Sequence, residues 1–343
     1  MTNSINSSLR LLDIEKATMN IPEFLTPWID RFYDPLEIDL LQILKNRPLE
    51  KKSVIKLLIK NKVLKAFNDF DQFLERARIR GVVKILDDKS IALEDFHIRF
   101  EYWALFEGWK DLPSEIKDKL NNWELNNYIK SHAQYAEGLK KGLQRVSSKI
   151  YPEYFLLEEV EALFEIIPKF YLWPCNCRAM IGNCRQSEFT CIRFSNDRDI
   201  GWEISKEKAL IIVNEANKKG LMQSAELRLD EKGEITGALC NCCNDCCFPH
   251  QLSERLNVNK YWPVSRYVVL PPTNDCNKCG KCVRRCPFGL ISQEKHTTKK
   301  QFRVPVIDIE QCRGCGICAT GCPQDAIKFE QIKESPFEKF FKA

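Results

Sequence analysis

Seventeen cysteines in 343 residues are the part of this sequence that could do chemistry. None precedes Cys175 and the last is Cys322. Eight of them obey one rule twice. Cys276, Cys279, Cys282 and Cys286 are followed by Pro287, and the spacing returns 36 residues on (276 to 312) as Cys312, Cys315, Cys318, Cys322 and Pro323. Three thiolates at three-residue steps let one loop wrap three corners of an iron–sulfur cube. The fourth, on the next turn, points elsewhere and ligates the other cluster. This assigns Cys276, Cys279, Cys282 and Cys322 to one [4Fe–4S] cluster, and Cys312, Cys315, Cys318 and Cys286 to a second. Structural zinc pairs two C-x-x-C knuckles across a spacer, a division these eight do not follow. An odd count, tight local spacing and a polar start without an apolar signal core argue against disulfides. Gly280, Gly314 and Gly316 permit tight or left-handed backbone that aims amide N–H groups at cluster sulfurs.

Nine cysteines remain. Four are Cys175, Cys177, Cys184 and Cys191, and five are Cys240, Cys242, Cys243, Cys246 and Cys247. So many thiols beside a cluster module point to at least one further metal centre, iron–sulfur by preference. The first four could complete one site. The second five could donate a ligand to it or build a less regular cluster. Adjacent cysteines in extended backbone point to opposite sides, so the pairs 242–243 and 246–247 each give one ligand to a given centre. Arg178, Arg185 and Arg193 could offset cluster charge. His250 reads as a polar neighbour rather than a ligand, because cysteine alone satisfies most clusters.

The elements that must position these thiols follow an α+β pattern. After a segment over 1–34, residues 35–95 show three short helical patterns, with Gly81 as a stop, and two strands around Asp87-Asp88-Lys89, which together read as a winged-helix-like domain. Residues 96–150 read as a helical connector. Within a cysteine-rich domain over 151–250, a helix is expected from Tyr154 to Ile167 and another from Ser205 to Lys219, with strands at 221–229 and 234–239, making a small α/β unit with cysteines at its edge. The cluster domain covers 251–333, and 334–343 forms a short amphipathic tail that packs back on the protein.

The duplicated motif resembles the bacterial two-cluster [4Fe–4S] ferredoxins over about residues 265–333. That resemblance implies a pseudo-twofold fold of two hairpins and two short helices, with clusters close enough for electron hopping. The segment Phe288–Gln311 is longer than in the smallest members and carries the basic run Lys295–Lys300. The upstream pattern is similar to little-characterised iron–sulfur proteins of anaerobes and, loosely, to the cysteine-rich motifs of heterodisulfide reductases, whose spacing it does not match.

Residues 277–305 hold Lys278, Lys281, Arg284, Arg285, Lys295, Lys299, Lys300 and Arg303 against Glu294, a patch suited to an acidic redox partner. A net charge of +5 is too small to imply nucleic acid. No apolar run is long enough to span a membrane, and a cytoplasmic location is expected. No dinucleotide fingerprint, P-loop or nucleophile elbow is present. The leading expectation is an electron-transfer protein linking two [4Fe–4S] clusters, an upstream cysteine centre and a partner. An oxidoreductase with that centre as its active site is the second. The third is a redox-responsive DNA-binding regulator using Arg76, Arg78 and Arg80, opposed by Asp69, Asp71 and Glu75.

Overall fold

Asp34 starts the first long helix by accepting a bond from the Glu37 amide while the Glu37 carboxylate accepts one from the Asp34 amide, 2.9 and 3.0 Å, a reciprocal cap. The computed structural model describes residues 19–45, 47–60, 70–145, 149–196, 198–295 and 302–341. Asp69, Lys299 and Lys300 lie outside the described residues. The chain divides into two compact units, Met1–Glu124 with Arg198–Ile200, and Leu125–Asp197 with Gly201–Ala343.

The first unit runs α1 (Pro35–Leu44), α2 (Lys51–Lys60), α3 (Phe70–Ile79), β1 (Val83–Ile85), β2 (Ile91–Leu93) and α4 (Phe96–Phe106). Gly81, at φ +72°, turns the chain out of α3. β1 and β2 pair antiparallel, and Leu49 bridges Ile91. The arginines of α3 and its exit are already paired. Arg76 contacts Asp34 at 2.6 Å, Arg78 contacts Glu75 at 2.6 Å, and Arg80 contacts Glu37 and Glu107 at 2.7 Å each. The 27-residue helix α5 (Ser114–Lys140) follows.

The second unit is built on a six-stranded sheet. Its elements are β3 (Tyr151–Tyr154), α6 (Leu157–Ile166), β4 (Phe170–Pro174), α7 (Asn176–Ile181), β5 (Phe189–Arg193), β6 (Trp202–Ile204), α8 (Lys206–Lys218), β7 (Met222–Leu229), β8 (Ile235–Cys242) and α9 (Phe248–Arg255). The spatial order is β3-β7-β8-β5-β4-β6, and every pairing is antiparallel. The sheet is wider than the two strands legible in the sequence, because the short segments before and after the first cysteines also pair. Tyr154 lies in β3 rather than in the expected helix. Its backbone is held extended against Ser224, and α6 begins only after Leu156, which is itself extended. Ser205 caps α8 by accepting from the Lys208 amide at 3.2 Å.

One core joins Val160, Leu163 and Phe164 of α6 and Ala209 and Val213 of α8 to Ile192, Ala225, Leu227 and Leu239 of the sheet. Phe337 and Phe341 enter the same core, so the C-terminal tail packs back through α12 (Glu338–Phe341).

The remainder comprises β9 (Tyr267–Val269), α10 (Lys281–Arg285), β10 (Ile291–Ser292), β11 (Val306–Ile307), α11 (Ile317–Thr320), β12 (Phe329–Gln331) and α12. β10 pairs with β11 and β12 with β9, both antiparallel. The sequence repeat is also a conformational repeat. Left-handed backbone occurs at Lys278 and Gly314, at Gly280 and Gly316, and at Gly289 and Asp325. Gly280 and Gly316 occupy the N-cap positions of α10 and α11.

Candidate metal centres

The two C-terminal motifs interleave. Cys276, Cys279, Cys282 and Cys322 line one cavity together with Pro272, Pro323 and Ile327. The charges felt by Cys315 come from Cys312 and Cys286, and Cys318 senses Cys315, Cys312, Cys286 and, last, Cys282. The fourth cysteine of each motif therefore sits with the first three of the other. Cys282 and Cys318 are packed in a single apolar cluster with Val269, Ile291 and Ile327, which brings the two sets side by side. Burial pushes the Cys315 thiol up to about 12 and raises Cys318 further.

The surroundings suit anionic sulfur. The Leu290 amide donates to Cys286 Sγ and the Ala326 amide to Cys322 Sγ, at 3.3 Å each. These donors are equivalent under the repeat. Such N–H···S contacts stabilise thiolate and tune cluster potential. The donor set, the cavity and the amide bonds all fit two cubane clusters. Arg285 is a tie rather than a docking charge, donating to Ile317 O, Lys218 O and Asn217 O at 2.8–2.9 Å.

The nine upstream thiols fall into six and three. Six form an unbroken chain of contacts: Cys177 to Cys175, then Cys191, Cys240, Cys242 and Cys247. Sheet register explains it. Ile192 lies opposite Leu239, so one step further Cys191 meets Cys240, and Cys242 follows on the same face two residues on. Cys175 leaves the end of β4 and stands at the N-cap position of α7, which carries Cys177, while Cys247 stands at the N-cap position of α9. Cys177 and Cys191 are pushed well above the ordinary thiol value by the bonds they donate to Cys175 and by burial, and Cys175 is held well below it by receiving them. A pocket that crowds thiols together in this way is one that a cation would relieve.

The other three, Cys184, Cys243 and Cys246, gather with Asp245, with all ligand atoms within 4.8 Å of one another. Of the four cysteines 175–191, Cys184 thus lies with the second group, while Cys175, Cys177 and Cys191 lie in the first. The adjacent cysteines part company: Cys242 and Cys247 share an apolar cluster with Tyr154 and Ile317, whereas Cys243 and Cys246 pack with Ala216 and Leu221.

Arg178 is buried, donates to Thr190 Oγ1 at 2.9 Å and Asn241 O at 2.8 Å, and is influenced by Cys175, Cys243 and Cys184. Arg193 instead stacks on Trp173, 3.6 Å from the ring centre, and Arg185 is exposed. Both ring nitrogens of buried His250 are occupied, by the Cys243 carbonyl at 3.0 Å and the Tyr154 hydroxyl at 2.8 Å.

Three contributors carry little signal in the sequence. Asp245 could have been found, because it lies inside the Cys243–Cys246 knuckle. Tyr154 and Arg313 could not, since nothing local to either announces its neighbours. Arg313 covers Phe288 at 4.0 Å.

This fold and these thiols define an iron–sulfur protein of the electron-transport class. Residues 275–326 match the 4Fe-4S dicluster domain family. The PorD subunit of pyruvate synthase from Methanothermobacter marburgensis is 41% identical over 58 residues, which are 17% of this chain and 59% of that protein. An uncharacterised ferredoxin of Methanocaldococcus jannaschii is 34% identical over 65 residues, covering 19% of this chain and 80% of the relative. The delta subunit of NADH-dependent phenylglyoxylate dehydrogenase from Aromatoleum evansii is 36% identical over 63 residues, 18% of this chain and 58% of the relative. No solved structure gives a significant match. The chain belongs, through its C-terminal module, to the two-cluster [4Fe–4S] ferredoxin family. Among the described residues no helix is long and apolar enough to cross a membrane.

Proposed function

We propose that this protein is an electron relay running from a surface partner, through two [4Fe–4S] clusters, to a six-thiol iron–sulfur centre upstream. The observation that carries the reading is one apolar cluster. In it Cys315 and Ile317 of the module pack with Tyr154, Cys240, Cys242 and Cys247. The set containing Cys312, Cys315, Cys318 and Cys286 is then the inner cluster, beside the upstream thiols. The outer cluster is held by Cys276, Cys279, Cys282 and Cys322. Cys279 is the exposed member, and exposed Lys278, Lys281 and Arg284 surround it, which suits docking of an acidic partner. The bound clusters supply the one-electron chemistry. The chain itself holds them in an apolar wall that shortens the gap between centres, offers amide donors to the sulfurs, and leaves one edge open.

Two of the matched relatives are named as subunits of oxidoreductases, and we place this chain in the same kind of assembly. The part of the first unit that runs α1, α2, α3, β1 and β2, with Leu49 bridging Ile91, is read as a winged helix that contacts protein. Its three α3-region arginines are engaged by carboxylates of the chain, which weighs against a phosphate-binding face.

The test is freeze-quenched electron paramagnetic resonance of the anaerobic full chain during reduction by a low-potential donor. The relay requires the module signals to rise first and the upstream signal to follow. Cys315→Ser should delay the upstream signal while leaving the outer cluster reducible. An upstream centre that reduces at the wild-type rate in that variant rules the relay out.

A further inference from the structure

We propose that Cys184, Cys243, Asp245 and Cys246 form a separate site for one tetrahedral divalent ion of the zinc class, distinct from the iron–sulfur centres. Four observations converge on it. The first is segregation: these three thiols stand apart from the six that touch one another around Cys175 and Cys242. The second is size. A metal–sulfur bond of about 2.3 Å at tetrahedral angles separates neighbouring sulfurs by about 3.8 Å, and the four ligand atoms here all lie within 4.8 Å of one another. Thiolates on a cubane radiate from four separate irons and stand farther apart than the ligands of any single ion.

The third observation is spacing. Cys243-Asn244-Asp245-Cys246 is the C-x-x-C knuckle of structural zinc, completed by Cys184 from the loop after α7. The fourth is the environment. The Cys184 amide donates to Cys246 Sγ at 3.4 Å, the kind of outer bond that supports a metal-bound thiolate. Ala216, Leu221 and Ile181 wall the buried side, and exposed Asp245 leaves a way in for the ion. Three thiolates and one carboxylate carry four negative charges. A dication and Arg178, whose guanidinium is influenced by Cys243 and Cys184, offset three of them. Thiolate-rich donors select zinc over magnesium or calcium.

The role follows from position. Cys242 and Cys247 flank the knuckle on either side. An ion at 243–246 therefore stiffens the turn between two thiols of the six-thiol group without supplying a ligand to that group.

The experiment counts zinc and iron on the anaerobic full-length protein by mass spectrometry. Wild type is expected to hold about one zinc per chain. Cys246→Ser should lose it with iron and sulfide unchanged. Asp245→Asn alters an exposed side chain and is not expected to disturb folding. It should release zinc to a chromophoric chelator roughly tenfold faster or more. Three results would overturn the proposal: no zinc in wild type, loss of iron together with sulfide in Cys246→Ser, or unchanged release from Asp245→Asn. The readout is zinc rather than electron flow, so its failure is distinguishable from failure of the relay.

Discussion

Arg266 offers the sharpest energetic test of how the cluster module is held on the sheet. It precedes β9, is fully buried, and reaches both Glu159 at the start of α6 and Glu153 of β3, the latter at 3.4 Å. Its guanidinium lies 4.7 Å from the Phe155 ring centre. Burial opposes its charge, but Glu153 and Glu159 outweigh burial and raise its pKa. Arg266→Met removes the charge at nearly constant volume. Glu153 keeps Arg145 at 2.9 Å and Glu159 keeps the Tyr267 hydroxyl at 2.6 Å, so each carboxylate loses the Arg266 charge but retains another contact. Removing one partner of a buried pair costs about 3–5 kcal/mol, and the contacts that remain point to the lower end. At 1.36 kcal/mol per decade, about 3 kcal/mol expressed in the unfolding barrier is on the order of a hundredfold in rate. Proteins with bound clusters unfold irreversibly, so the rate is the proper observable. The assay is anaerobic unfolding in urea, followed by cluster absorbance and far-ultraviolet circular dichroism. Arg266→Met/Glu159→Gln removes the carboxylate charge that Arg266 had offset and should recover much of the loss. An Arg266→Met protein that unfolds within about threefold of wild type, under 1 kcal/mol, would refute the reasoning.

Further outcomes are expected. Burial alone would lower the His97 pKa, but the Glu124 carboxylate at 2.6 Å reverses this and raises it to about 9. Because the folded value exceeds the ordinary 6.5, the pair's contribution is full below about pH 6.5 and is lost as pH rises through about 9. Thermal unfolding of wild type and His97→Gln across that range should converge at high pH, and a gap that widens there would contradict the assignment. Gly314, at φ +65°, would place a Cβ 2.2 Å from Tyr267 O. Gly314→Ala should cost about 2 kcal/mol or more through backbone strain and clash, and should lose about four irons. Gly182, at φ +67° with open space around it, provides the control: Gly182→Ala should cost about 1 kcal/mol with iron unchanged. Ser205→Ala removes the α8 cap, costs about 1 kcal/mol, and should unfold in urea up to roughly fivefold faster than wild type.

The ferredoxin module was legible because its signal is local and repeated: eight thiols, two prolines and three permissive glycines fall within 48 residues of one another (276 to 323). The left-handed backbone at Lys278, Gly289 and Asp325 was not legible, since only the folded repeat shows that Lys278 and Asp325 take conformations held by glycine in the other half. The upstream cysteines were legible as metal ligands in type and not in grouping. Their division depends on the register that sets β5 beside β8 and on the loop that carries Cys184 to Cys246, contacts between residues 49 and 62 positions apart (191 to 240, 184 to 246). Tyr154 entered the wrong element because its apolar spacing continues that of α6, while pairing with β7 decides its backbone. The α3 arginines were legible as charges, but their carboxylate partners at Asp34, Glu37 and Glu107 come from outside that helix.

The central claim is that thiolates hold iron–sulfur clusters in the module and a further cluster in the six-thiol group. Its most direct measurement is iron and inorganic sulfide per chain in anaerobic wild type and in a Cys175→Ser/Cys191→Ser variant. Wild type should exceed about eight of each, and the variant should return to about eight. A wild-type protein with eight or fewer, unchanged by the double substitution, would contradict the account.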